Sequence, residues 1–186
     1  MIIEDKKILK EVKILKTVII YKSKTGFAKQ YAQWISEEIS ADIFDVSKFN
    51  TNMLTDYDTV IYGGGLYAVG INGVKYITQN LDKLKDKKVI VFATGASPSR
   101  EEAVNGVRDK NFTAEQQKYI KFFYLRGGFD YSKLKPFDKV LMTLLKWRLK
   151  TKKELTPDEK GMLASYAKPV DFTRKKNINE IITYIK

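Results

Sequence analysis

The 186-residue chain has no cysteine and no histidine. Without cysteine there is no disulfide, no thiolate nucleophile and no zinc–thiolate site; without histidine there is no imidazole base and no imidazole metal ligand. No metal-binding set and no catalytic side chain is therefore nominated, and an enzyme of this composition is expected to borrow its electronic chemistry from a cofactor. No apolar run approaches the ~18–20 residues that span a bilayer, and residues 1–16 alternate Lys with Ile and Leu without the continuous apolar centre of a signal peptide. A cytoplasmic protein is expected. Acidic residues are scarce, 22 against 34 Lys and Arg for a net charge of +12, so the surface or partner the chain meets is expected to be anionic. Neither a helix-turn-helix, a zinc finger nor an aromatic RNA-binding sheet signature is present, and no nucleic-acid partner is expected.

At 44% hydrophobic and 12% aromatic residues the chain suffices for one core and one domain. Residues 17–22, 41–46, 58–62, 88–93 and 119–125 read as strands, and residues 29–40 and 75–84 between them as helices. Ser97-Pro98 and Ser99-x-x-Glu102 compete to cap the next helix, Thr113-x-x-Gln116 starts a further turn, and Asn177-x-x-Glu180 caps a last helix with the stripe Ile178, Ile181, Ile182 and Ile185. Strands alternating with helices imply parallel pairing through right-handed crossovers, hence an α/β three-layer sandwich.

In such a sheet, ligands bind beyond the carboxyl ends of the strands. The first strand runs directly into Ser23-Lys24-Thr25-Gly26-Phe27-Ala28 and then a helix, an arrangement that aims free N–H groups and a positive dipole end at one small volume. That volume suits a phosphate, yet the loop is neither a Walker loop nor the three-glycine dinucleotide fingerprint. A plainer reading stays open, in which Ala28, Ala32, Ile35 and Ile39 form a buried stripe and the hydroxyls only cap the helix. Two more loops leave strand ends, Gly63-Gly64-Gly65-Leu66-Tyr67-Ala68-Val69-Gly70 and Thr94-Gly95-Ala96-Ser97. The glycines of the second read either as a turn off the sheet or as room for a ligand.

The first loop resembles the Ser/Thr-x-Thr-Gly-x-Thr phosphate loop of flavodoxins, with Ser23, Thr25 and Gly26 matching. Ala28 stands where that pattern has a third hydroxyl, a hydrogen bond to phosphate worth roughly 1.5–3 kcal/mol; Lys22, Lys24 and Lys29 are placed to supply charge instead. The resemblance implies a five-stranded parallel sheet in the order 2-1-3-4-5. It also implies flavin mononucleotide (FMN), its phosphate held by residues 23–28, its ring by Gly64, Gly65, Leu66, Tyr67 and Ala68 and by Thr94, Gly95, Ala96 and Ser97.

Residues 126–173 form an insert longer than a minimal fold of this kind needs. Within it Phe137, Val140, Leu141, Leu144 and Leu145 make one helical face, and Lys139, Thr143, Lys146, Lys150 and Lys153 the opposite one, with Trp147 and Arg148 at the margins. Two readings stay open: a helix packed on the domain with its lysines in water, or a basic amphipathic element for a membrane surface, a lipid-like substrate or a partner groove. The residues Phe123-Tyr124-Leu125-Arg126-Gly127-Gly128-Phe129-Asp130-Tyr131, the basic helix and Pro169-Val170-Asp171-Phe172-Thr173 resemble the flavodoxin branch related to the menaquinone-dependent protoporphyrinogen oxidase, across residues 17–186. That resemblance implies an oxidoreductase with a quinone or tetrapyrrole partner and peripheral contact with an anionic membrane at its inner face. Residues 1–16 remain as an N-terminal extension. The rival readings are an FMN electron-transfer protein serving a redox partner without substrate chemistry, which the basic charge disfavours, and a relative that has lost flavin.

Overall fold

The computed structural model describes residues 15–67 and 69–186. Most of the N-terminal extension, residues 1–14, and the predicted ring-loop residue Ala68 lie outside the described residues.

Five strands form the parallel sheet: β1 (Thr17–Lys22), β2 (Asp42–Asp45), β3 (Thr59–Tyr67), β5 (Lys88–Gly95) and β6 (Ile120–Arg126). They lie in the order β2-β1-β3-β5-β6, with β4 (Gly70–Ile71) folded back antiparallel onto β3. Without that hairpin strand the order is the expected 2-1-3-4-5. Crossovers run through α1 (Phe27–Ile39), α2 (Lys75–Thr78) and α3 (Glu101–Asn111), and α6 (Asn179–Ile185) closes the chain. The insert contributes a ribbon of β7 (Gly128–Phe129) and β8 (Val170–Asp171), paired antiparallel, and between them α4 (Pro136–Lys150) and α5 (Pro157–Ser165).

Because strand side chains alternate, each central strand feeds two cores. Ile19, Ile61, Ile90 and Phe92 pack on Ala28, Tyr31, Ala32 and Ile35 of α1 and on Ile178, Ile181 and Ile182. On the other face Val18, Ile20, Val60, Tyr62 and Val91 meet Leu54, Ile77, Leu84, Val107 and Phe112. The two apolar layers fix which way every strand faces, since a one-residue slip would turn both cores into solvent.

Several local expectations change. The strand predicted to stop at residue 62 continues through Gly63, Gly64 and Gly65 to Tyr67, so the glycines are not a turn off the sheet. They answer a shortage of room: a Cβ on Gly63 would fall inside the fully buried ring of Phe92, its partner across the ladder, and one on Gly64 would sit 2.6 Å from Ile71. Neither Ser97 nor Ser99 caps α3, which starts after Arg100 without a side-chain cap and meets its own dipole with Glu101 and Glu102. Asn177 does not cap the last helix either; its amide donates to the Tyr31 hydroxyl at 2.7 Å, which in turn donates to the Arg126 carbonyl at 2.7 Å. A hydroxyl in that buried layer needs partners, and this outweighs a cap at an accessible helix end. The Thr113–Gln116 pair does form, reciprocally, and Thr156 with Glu159 makes a complete capping box at the start of α5.

Gly63→Ala is expected to lower the unfolding free energy in urea by about 3 kcal/mol, the cost of overpacking a filled core. Phe92→Leu in the same background should recover part of that loss. Gly106→Ala, on the open side of α3 where a Cβ meets nothing within 4 Å, should instead stabilise by about 0.5–1 kcal/mol.

Candidate functional site

The ladder registers set the site. Lys22 is paired with Gly64, Gly65 with Thr94, and Gly95 with Arg126, so the parallel ladders of β1, β3, β5 and β6 end at one edge of the sheet, beyond which β3 runs on to Tyr67 against β4. The turns beginning at Ser23 and Ala96 and the β3–β4 hairpin from Leu66 leave from that single edge.

In the first turn Gly26 adopts the left-handed conformation (φ 97°, ψ −25°), and α1 starts at the next residue. A side chain there would cost ~1–2 kcal/mol in backbone strain alone, although a Cβ at Gly26 would meet nothing within 4 Å. The Gly26 carbonyl accepts the Gln30 N–H at 2.9 Å, so the N–H groups of Phe27, Ala28 and Lys29 precede the helical ladder and point out of its positive end. Ser23 Oγ accepts the Gly26 N–H at 3.1 Å and keeps its own proton for donation. The Ala28 methyl is only 1% exposed and packs in the core under α1. Ala28, Ala32 and Ile35 thus form the buried stripe, with Ile39 partly buried at its end, but no side chain caps α1, so the capping role read for the hydroxyls is not found and the N-terminal cradle stays open.

Lys24 joins the first turn to the second and to the insert. Its Nζ donates to both oxygens of Asp138 at 2.8 Å and lies 4.5 Å from the centre of the Tyr67 ring. Asp138 is the third residue of α4, and its side chain is 3% exposed against 37% for Lys24. The Tyr67 hydroxyl is held above its ordinary pKa by partial burial and then by the Asp138 charge, with Lys24 opposing. Leu66 comes within 3.0 Å of where a Cβ on Gly95 would stand, which ties the second turn to the third.

The third turn is held by its carbonyls. Gly95 accepts the Gly127 N–H at 2.7 Å, Ala96 accepts Arg126 Nε at 3.3 Å, and Ser97 accepts the Tyr124 hydroxyl at 2.9 Å. Burial pushes the Tyr124 hydroxyl up to about 12, so it stays a donor across the working range. Arg126 is fixed in turn by stacking 3.7 Å over the Phe172 ring. With its carbonyls committed to the β6 side, this turn has N–H groups left to offer.

Two features of the site escaped the sequence reading. Gly128 leaves no room for a side chain, since a Cβ there would run into the Val170 carbonyl and sit 2.6 Å from the Phe27 ring, and one on Gly127 would stand 3.3 Å from Phe27 and from Thr94. The insert thus starts and returns beside the phosphate turn, with the Phe172 N–H on the Gly127 carbonyl at 2.9 Å. Asp138 was the other, although it had a signal: it is the single acid among eight Lys and Arg in residues 133–153. A helix N-terminus, two hydroxyls and an unstrained glycine fit a phosphate dianion. Among the described residues no cluster of three acidic side chains fits a metal.

A family model described as a flavodoxin domain matches residues 18–156. An uncharacterized protein of Methanocaldococcus jannaschii is 31% identical over 87 residues, 45% of this chain; the match spans 57% of that relative's length. Among solved structures, the two-electron reduced flavodoxin of Megasphaera elsdenii aligns with 58% of this chain and 84% of its own at 21% identity and a TM-score of 0.42. A flavoprotein in complex with FMN from Lactobacillus acidophilus aligns with 61% of this chain and 93% of its own at 18% identity and a TM-score of 0.41. Likenesses this shallow say nothing of activity.

The Lys24–Asp138 pair should respond asymmetrically to mutation. Lys24→Met leaves a buried carboxylate unpaired and is expected to cost about 3 kcal/mol in urea unfolding. Asp138→Asn leaves a lysine that reaches water and should cost only about 1 kcal/mol.

Proposed function

Because the chain belongs to the flavodoxin-domain family, we propose that it is an FMN-dependent oxidoreductase whose cofactor lies across the ends of β1, β3 and β5. The observation that carries this reading is the common level of the three strand-end turns, with an uncommitted helix N-terminus in the first. When bound, FMN would supply exchange of a hydride or of electrons with the substrate. The Ser23 and Thr25 hydroxyls and the N–H groups of Phe27, Ala28 and Lys29 would hold its phosphate; the absent hydroxyl at Ala28 is offset by the helix dipole rather than by Lys24, which is committed to Asp138. Leu66 and Tyr67 would flank the ring, and the N–H groups of the third turn would face its polar edge. Gly64 and Gly65 would serve as spacers that let the backbone approach.

The substrate class we propose is an apolar acid, a tetrapyrrole with carboxylate side chains, with a quinone as electron acceptor, in keeping with the resemblance to the protoporphyrinogen oxidase branch. The net charge of +12 supports an anionic substrate. It also separates this reading from a simple electron carrier, whose soluble relatives are typically acidic. No side chain is given a proton-transfer role, and Asp138, the carboxylate that reaches the first turn, is paired with Lys24.

Quenching of flavin fluorescence on titration tests the assignment. FMN is expected to bind at least 30-fold more tightly than riboflavin, and Thr25→Val should weaken FMN about tenfold while leaving riboflavin unchanged. Absence of binding by either flavin at low salt would remove the flavin reading, and equal affinity would remove the phosphate assignment. Stepwise reductive titration then separates the two functions: an oxidoreductase should take up both electrons in one step, a carrier in two resolved steps.

A further inference from the structure

Four large apolar side chains on a single helix are left in water: Phe137 (73% exposed), Val140 (59%), Leu144 (58%) and Trp147 (69%). Their spacing of three, four and three residues lines them along one side of α4, over about 15 Å at 1.5 Å per residue. The helix is not poorly seated. Its other side buries Asp138 and Leu149, Lys24 clamps its first turn through Asp138, and the Tyr166 hydroxyl donates to the Met142 carbonyl at 2.6 Å. The part of the predicted apolar face that packs is therefore the Leu145 side, while Phe137, Val140 and Leu144 point away with Trp147.

The surroundings say what would cover such a stripe. Residues 133–153 carry eight Lys and Arg and one acid, Asp138, which is buried and paired. A second copy laid on this face would set two uncompensated basic surfaces against each other. A straight row of Phe, Val, Leu and Trp bordered by Lys139, Arg148 and Lys150 matches the layering of an interface, with rings and aliphatics at the acyl boundary and cations among anionic headgroups. Among the described residues no helix is long and apolar enough to cross a membrane, so contact is with one surface.

We infer that α4 docks this protein onto an anionic bilayer, lying in the plane of the interface with Phe137, Val140, Leu144 and Trp147 immersed. The Lys24–Asp138 clamp ties that helix to the first strand-end turn, which sets the mouth of the site beside the membrane surface. Docking itself requires no flavin and stands apart from the redox reading.

Cosedimentation of the full chain with vesicles tests it. Partition onto phosphatidylcholine with a quarter of phosphatidylglycerol should exceed that onto phosphatidylcholine alone at least tenfold and fall as salt rises. The variant Phe137→Ser, Leu144→Ser, Trp147→Ser, at positions already in water, should keep the wild-type melting temperature and lose at least tenfold in partition. In the wild type, tryptophan emission should shift to shorter wavelength on vesicle addition, and Trp147→Phe should abolish the shift although Trp34 remains. The inference is overturned if the triple variant partitions like wild type, if wild type binds neither vesicle, or if the stripe mediates self-association or capture of an acidic protein in the absence of lipid.

Discussion

A left-handed glycine lets β1 become α1 within four residues, and the site depends on that turn. Had the chain needed a longer connection, the first N–H groups of α1 would not stand at the level where β3 and β5 end. The left-handed Gly26 places them there without strain, and the ladder registers Lys22 to Gly64 and Gly65 to Thr94 bring the other two turns alongside. The registers are enforced by two apolar layers, so the position of an anion cradle at the sheet edge is a consequence of core packing. Hydroxyl chemistry in the turn is secondary to this. Ala28 can be an alanine because its methyl faces the core while its N–H faces outward.

The insert is the chain's own addition to this frame, and it is attached where the site is. Gly127 and Gly128 admit Phe27, Phe172 stacks under Arg126, and Asp138 takes Lys24 out of the first turn and over Tyr67. A lysine that would otherwise be free to approach a phosphate is thereby made part of the link between the cradle and α4. One ion pair with a buried carboxylate couples the phosphate turn, the ring-side aromatic and the helix that carries the exposed stripe.

Much of this was legible in the sequence. Strand and helix order followed from apolar periodicity, and the strand-end turns from the glycines and hydroxyls that end the apolar runs. The misreadings of Gly63, Asn177 and α4 share a cause, a partner far along the chain. Gly63 looks like a turn until Phe92 is found to need its space. Asn177 looks like a cap until its amide is found on the Tyr31 hydroxyl. In α4, Val140, Leu141, Met142, Leu144, Leu145, Trp147 and Leu149 cover so much of the helix that periodicity cannot say which arc packs. Asp138 decides it, through a partner 114 residues away. The Thr113–Gln116 pair was legible in full because both of its members are local.

The most direct test of the central claim is the backbone amide spectrum of the labelled protein during FMN addition. The account predicts that the Phe27, Ala28 and Lys29 amides shift downfield together as they engage the phosphate, with smaller changes at Leu66, Tyr67, Ala96 and Ser97 and none on the sheet's opposite edge. An unchanged spectrum, or changes confined to residues away from these three turns, would contradict it.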